Sequence, residues 1–192
     1  KRWRQGYIFV ITILDIETTI DFDKSISSPY SGQQIVFVGY ESFTLDFSTV
    51  ENGEYFFYHN QCEPTPDGAK RLQQKLDETT CLVGHNLKFD LQWLRECGFT
   101  YINPLWDTMI AEYLCARGIK QSISLAECAK RRGLPEKRTD LTEKYLKDKV
   151  SYEDMPPDIV KEYCLADVRT TARLAQSQLD ELQMSFPNAP YC

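Results

Sequence analysis

The feature that most restricts the fold of this chain lies near its start. Residues 7–17 (YIFVITILDIE) are almost unbroken β-branched and aromatic sequence, the pattern of a strand covered on both faces. Such a strand needs neighbours in a sheet and helices above and below it, which points to an α/β layer architecture. Two further strand-like segments, 34–40 and 54–59, are joined by short polar turns that include the hairpin-type dipeptide Asn52-Gly53, so the three read as a meander. Helical spacing follows over 66–78, then a short apolar strand at 81–83 and a helix over 86–97 with Asn86 as its N-cap. The remaining helices fall at about 108–116, 122–132, 141–146 and 156–184, with Pro156 and Pro157 suited to a first turn. The predicted architecture is α/β, a mixed central β-sheet flanked by helices. The polar stretch 18–32 reads as a solvated loop, although its place after the first strand could also border a site.

Four acids conflict with these patterns. Asp15 and Glu17 are two apart on a strand, so both project from one face and repel. In the segment GHNLKFDLQWLRECGF (84–99), Leu87, Leu91 and Leu94 share a helix face and Asp90 falls among them. A buried charge is costly unless something pairs with it, and no Lys or Arg stands at 86, 87, 93 or 94. The last helix repeats the anomaly, with Tyr163 and Asp167 on one face among Val160, Cys164, Thr171 and Leu174. A single such acid is most simply a cap or an ion-pair partner; four favour a common cleft. There, desolvation and mutual repulsion would raise their pKa values, and the usual remedy is a hard divalent cation with oxygen ligands. Mg²⁺ or Mn²⁺ suits the chain better than Zn²⁺, because it has only two His. His85 reads as a buried strand-end residue with satisfied hydrogen bonds.

Composition excludes several classes. With 42% hydrophobic residues over 192 positions, the chain can build one well-cored domain and is not disordered. Its longest apolar run, residues 7–14, is far short of the roughly 20 needed to span a membrane. Asp15-Ile16-Glu17 follows where a secretion signal would need a small-residue cleavage site. Seven cysteines without a C-x-x-C pair fit neither a disulfide framework nor a Cys-rich zinc site, so a reducing cytosol is expected. The net charge of −6 does not decide for or against nucleic acid, since each divalent cation cancels two acids. The first residue is Lys rather than Met, which fits a piece of a longer chain. The basic cluster Lys130-Arg131-Arg132 with Lys137 and Arg138 reads first as a solvated helix end and second as a track for a single-stranded backbone. Phe22, Tyr30 and Trp106 are candidates for stacking on bases.

Taken in order, Asp15-Ile16-Glu17-Thr18, Asn86-Leu87-Lys88-Phe89-Asp90 and Tyr163-Cys164-Leu165-Ala166-Asp167 resemble the three motifs of the DEDD exonuclease superfamily. Tyr163 looks like the mark of its tyrosine subclass, found in proofreading domains of polymerase-I-type DNA polymerases and in ribonuclease D; the histidine subclass would have His where Glu162 stands. Trp106-Asp107-Thr108-Met109 and Ser124-Leu125-Ala126-Glu127 are also similar to segments of the polymerase I exonuclease domain, and the likeness runs over about residues 8–179. The resemblance implies an RNase H-like (DnaQ-like exonuclease) fold and a 3′-5′ exonuclease that releases nucleoside 5′-monophosphates from the 3′ end of single-stranded DNA, with proofreading in replication as its setting. It implies two divalent cations, Mg²⁺ or Mn²⁺, the first on Asp15, Glu17 and Asp167 and the second on Asp15 and Asp90. Tyr163 would orient the attacking water, because a free pKa near 10 makes it a poor base at neutral pH. Thr18 and Asn86 match positions that touch the 3′-terminal nucleotide.

The organisation expected is one exonuclease domain over residues 1–192, core at about 7–184, as a fragment of or partner to a DNA polymerase. No membrane is involved, and the compartment is a bacterial or virus-infected host cytoplasm. Two alternatives stay open. A ribonuclease D-like RNA 3′-processing enzyme would use the same chemistry, and discrimination by the 2′-OH is not visible in sequence. A non-catalytic nucleic-acid-binding scaffold is disfavoured by the intact acids. The absence of a helical nucleic-acid-binding module after Met184 inclines the expectation toward DNA.

Overall fold

Alternation along the first strand sets the layers of the structure. The computed structural model describes residues 9–46 and 48–185, so Tyr7 and Ile8 of the predicted strand lie outside the described residues. β1 (Ile11–Thr18) pairs antiparallel with β2 (Ile35–Phe43), which pairs antiparallel with β3 (Thr49–Phe56). On its other side β1 pairs parallel with β4 (Cys81–Gly84), which carries the short edge strand β5 (Leu105–Asp107). The sheet order is β3-β2-β1-β4-β5, the mixed sheet expected, with the early meander intact. β5 has only three residues, too few for a period-2 pattern to be read.

Leu14 and Ile16 pack with Leu72 and Leu76 of α1 (Gly68–Glu78) and with Leu87, Trp93 and Leu94 of α2 (Leu87–Glu96). Ile11 and Ile13 face the opposite layer, against Val168, Ala172 and Ala175 of α6 (Pro157–Ser185). Each face of β1 is therefore buried, as its unbroken apolar sequence requires. Along the chain between α2 and α6 come α3 (Thr108–Cys115), α4 (Leu125–Arg131) and α5 (Glu143–Lys147). Among the described residues no helix is long and apolar enough to cross a membrane.

The predicted turn at Asn52-Gly53 is not one. Both residues lie inside β3, Asn52 opposite Glu41 and Gly53 opposite Tyr40. The chain reverses earlier, where Asp46 Oδ1 accepts from the Ser48 N–H at 3.1 Å and the Thr44 N–H donates to the Ser48 carbonyl at 3.0 Å. The glycine serves packing instead: a side chain at position 53 would overlap the ring of Tyr40 lying across it. The predicted strand 54–59 accordingly begins five residues earlier, at Thr49.

Candidate active site

β1 and β4 run parallel, so their C-terminal ends open at one edge of the sheet, where sites of α/β proteins gather. Asp15 and Glu17 continue the alternation of Ile11 and Ile13 and project toward α6. Opposite Asp15 in the ladder stands Gly39, where a Cβ would come within 3.0 Å of Cys164 Sγ and Leu165 Cδ2. The glycine lets α6 close onto the sheet at Cys164 and Leu165, within one turn of Asp167. From the other side, α2 starts directly after β4 and carries Asp90 to the same edge.

Asn86 is the N-cap residue of α2 by position but not by chemistry. Its backbone is left-handed, φ 63° and ψ 44°, and its side chain makes no cap bond, whereas a side-chain cap uses extended backbone. Asp107 does the capping. Its Oδ1 accepts from the N–H groups of Asn86 (3.0 Å) and Met109 (2.9 Å), and its Oδ2 from that of Leu87 (2.9 Å). One carboxylate thus fixes the starts of α2 and α3, and its bonds to α2 are hidden from the sequence because those partners lie 20 and 21 residues upstream.

The structure brings Asp15, Glu17, Asp90, Tyr163 and Asp167 together. Glu17, Asp90, Tyr163 and Asp167 are buried, and ligand atoms of Asp15, Glu17 and Cys164 lie within 4.8 Å of one another. Burial pushes the Asp15 carboxyl up to about 7, assisted by the charge of Asp167 and opposed by Lys137. Burial likewise raises Glu17, with Asp15 and Asp167 adding to it, and raises Asp90, with Asp15 adding to it. Asp167 is raised by burial and held back by Lys137. Burial drives the Tyr163 phenol up to about 12, so it stays protonated at neutral pH. Cys164 is a neutral thiol, raised first by burial and then by the surrounding carboxylates, and its Sγ donates to the Asp15 carbonyl at 3.4 Å. In the cation-free protein it adds no charge to the acids beside it.

The donor set fits hard divalent cations. Asp167 Oδ1 is buried and has no hydrogen-bond partner, a state that costs free energy until something positive meets it, and the carboxylates around it offer only oxygen. Thr18 and Asn86 sit at the ends of β1 and β4 on this same edge; Thr18 Oγ1 is bonded to Ser27 Oγ at 2.5 Å, and Asn86 is exposed. His85 is half-buried rather than buried, and only one of its ring nitrogens is satisfied: Nδ1 shares a hydrogen bond with Thr108 Oγ1 at 2.9 Å, while the buried Nε2 has no partner, against the expectation of satisfied hydrogen bonds.

Two residues of the site escaped sequence reasoning. Tyr152 stacks on Tyr163, with ring centroids 6.1 Å apart and planes at 26°, and its hydroxyl supports the charge of Glu17. No sequence pattern marks it. Ser151 beside it accepts from the Ile20 N–H at 2.8 Å, tying the loop after β1 to the site. The other is Lys137, whose ammonium bonds Asp167 Oδ2 and lies 4.9 Å from the Tyr163 ring centroid. The basic cluster to which it was assigned divides: Lys130 and Arg131 are exposed in the last turn of α4, the solvated helix end expected, while the others take separate partners and form no continuous track. Arg131 and Arg132 bind the buried Glu112 at 3.1 and 2.9 Å, and Arg132 also reaches Glu181 at 2.8 Å. Arg138 pairs with Asp140 and Glu162 at the surface. Of the stacking candidates, Tyr30 and Trp106 line an apolar groove beside α2 and α3, whose wall contains none of the four acids.

A family model described as 3′-5′ exonuclease matches residues 45–183, a span that holds Asp90, Tyr163 and Asp167 and begins after β1. A DNA polymerase of Bacillus phage SP01 is 32% identical over 115 residues, 58% of this chain and 12% of that protein. DNA polymerase I of Borreliella burgdorferi is 26% identical over 140 residues, 71% of this chain and 13% of that protein. The chain thus spans about an eighth of the length of these curated relatives. Among solved structures, Escherichia coli Exonuclease I in complex with a dT13 oligonucleotide superposes with a TM-score of 0.57 at 16% identity, over 93% of this chain and 42% of that one. Brucella melitensis NrnC with bound Mg²⁺ gives 0.60 at 18% identity, over 96% of this chain and 79% of that one. At these identities the structural likenesses establish the fold, that of RNase H-like exonucleases.

Proposed function

This chain belongs to the 3′-5′ exonuclease family, and we propose on that basis that it hydrolyses single-stranded DNA from the 3′ end, releasing nucleoside 5′-monophosphates as the proofreading activity of a DNA polymerase. The observation that carries the reading is the meeting of Asp15 with the buried Glu17, Asp90 and Asp167 beside Tyr163, with one Asp167 oxygen left unpartnered. The polymerase context is supported by the two relatives, one bacterial and one of a bacterial virus, with the cytoplasm of such a cell as the compartment. The working unit is one exonuclease domain with its core at about residues 7–184.

Asp15, Glu17, Asp90 and Asp167 are the residues that hold two divalent cations, Mg²⁺ or Mn²⁺. When bound, such ions supply a nucleophile from water at neutral pH and neutralise the departing 3′ oxygen. The remaining work falls to the chain's own groups. The Tyr163 phenol, protonated because burial drives its pKa up to about 12, donates a hydrogen bond and orients the attacking water without taking its proton. Tyr152 braces that ring and keeps Glu17 turned toward the centre. Thr18 and Asn86, at the two strand ends, contact the terminal nucleotide.

The test is a ladder assay with 5′-labelled oligonucleotides. With Mg²⁺ or Mn²⁺ the label should shorten one nucleotide at a time from the 3′ end, DNA faster than matched RNA, and EDTA should stop it. Release of the label as a mononucleotide at the earliest time would reverse the polarity. Faster RNA degradation would make the protein an RNA 3′-processing enzyme, and unchanged substrate would make it a scaffold.

A further inference from the structure

Lys137 has no part in the mechanism above, yet its ammonium lies inside the acidic centre. It bonds Asp167 Oδ2 and sits over the Tyr163 ring, and its field reaches Asp15 and Glu17. The residue comes from the irregular segment between α4 and the 3₁₀ turn Thr139–Leu141, so its charge is delivered on a flexible four-carbon stem. Its side chain keeps 22% of its exposure, against 4% for Asp167. An ammonium held on Asp167 Oδ2 repels any divalent cation drawn to the unpartnered Oδ1 of the same carboxylate and to Asp15 and Glu17 beside it. One ammonium offsets a single carboxylate of four, whereas two divalent ions offset all of them.

We propose that Lys137 is a tethered counter-ion that occupies the acidic centre in the cation-free protein and competes there with divalent cations, so that cation binding and withdrawal of the ammonium from Asp167 are one exchange. The proposal rests on the metal-site reading given above. It explains why a fold with four converging acids is tolerated without metal, and it makes Lys137 a residue that sets cation affinity. If the ammonium has left Asp167 in about 1–10% of cation-free molecules, apparent cation affinity is lowered about 10- to 100-fold.

Calorimetric Mn²⁺ titration of the wild type and Lys137→Met is the first arm. The variant should bind Mn²⁺ about 10- to 100-fold more tightly, and should melt below the wild type in EDTA but not in saturating Mn²⁺. The second arm needs no substitution, and decides alone if the variant does not fold. Limiting acetic anhydride, read by peptide mass spectrometry, should acetylate Lys137 several-fold faster when Mn²⁺ is present. Lys24 and Lys147, whose side chains are 67% and 71% exposed, serve as unchanging references. Mn²⁺ affinities equal within about twofold, weaker binding by the variant, or Lys137 reactivity that Mn²⁺ leaves unchanged or lowers would each overturn the exchange and leave the metal site standing. Failure of both proteins to bind Mn²⁺ would overturn the metal site and the exchange together.

Discussion

Replacing Asp15 with Asn in the cation-free protein separates a metal site from a structural ion-pair network. Burial, with Asp167 adding to it, pushes the Asp15 carboxyl up to about 7, against an unfolded value of about 3.9. The folded state therefore binds the proton more tightly than the unfolded chain. Asp15 costs no stability below about pH 4, costs progressively more as pH rises toward 7, and exacts its full cost above that. Roughly three pKa units at about 1.36 kcal/mol each give about 4 kcal/mol, and sharing of protons among the coupled acids reduces this to about 2–4 kcal/mol. Asn removes the cost. In EDTA the variant should match the wild type near pH 4, exceed it by about 1 kcal/mol at pH 5, and exceed it by about 2–4 kcal/mol at pH 8. Urea unfolding followed by tryptophan fluorescence at pH 5, 6, 7 and 8 measures the difference, provided the denaturant slopes agree. Mn²⁺ should reverse the order: the wild type gains about 2.7 kcal/mol when free ion is at 100 times its dissociation constant, and the variant loses most of that increment. A stability difference that stays flat or falls between pH 5 and 8 would refute the reasoning. So would a variant weaker by about 3–5 kcal/mol in EDTA, the mark of a stranded ion-pair partner.

Tyr163→Phe keeps the ring on Tyr152 and removes only the hydroxyl; exonuclease turnover should fall about 10²-fold while the Mn²⁺-dependent rise in melting temperature is unchanged, and full turnover would remove Tyr163 from the mechanism. Arg132→Ala should cost about 3 kcal/mol in urea unfolding, because the buried Glu112 loses one of its two guanidinium partners; a loss below about 1 kcal/mol would mean that Arg131 alone satisfies it.

Much of this protein is written locally, and local patterns proved readable. The unbroken apolar run of β1 demanded a central strand, and its period of two put Asp15 and Glu17 on one face. Helical periodicity put Asp90 and Asp167 on buried stripes where only a shared positive partner makes sense, and the order of the motifs pointed to the exonuclease family. These inferences use spacings of two to four residues, which backbone geometry alone converts into shared faces. What periodicity could not supply is the identity of partners distant in the chain. Gly53 carries the same sequence signal as a turn glycine, and only the ring of Tyr40 laid across it reveals a packing role. Asn86 has the residue type of a cap, but Asp107 fills that office from the end of the neighbouring strand β5. Lys130 to Arg138 look alike as charges. Folding sends Arg131 and Arg132 to Glu112, Arg138 to surface acids and Lys137 onto Asp167. A charge's role depends on which opposite charge it meets and how dry the meeting place is, and both are properties of the packed chain, set by contacts across tens of residues that no local window contains.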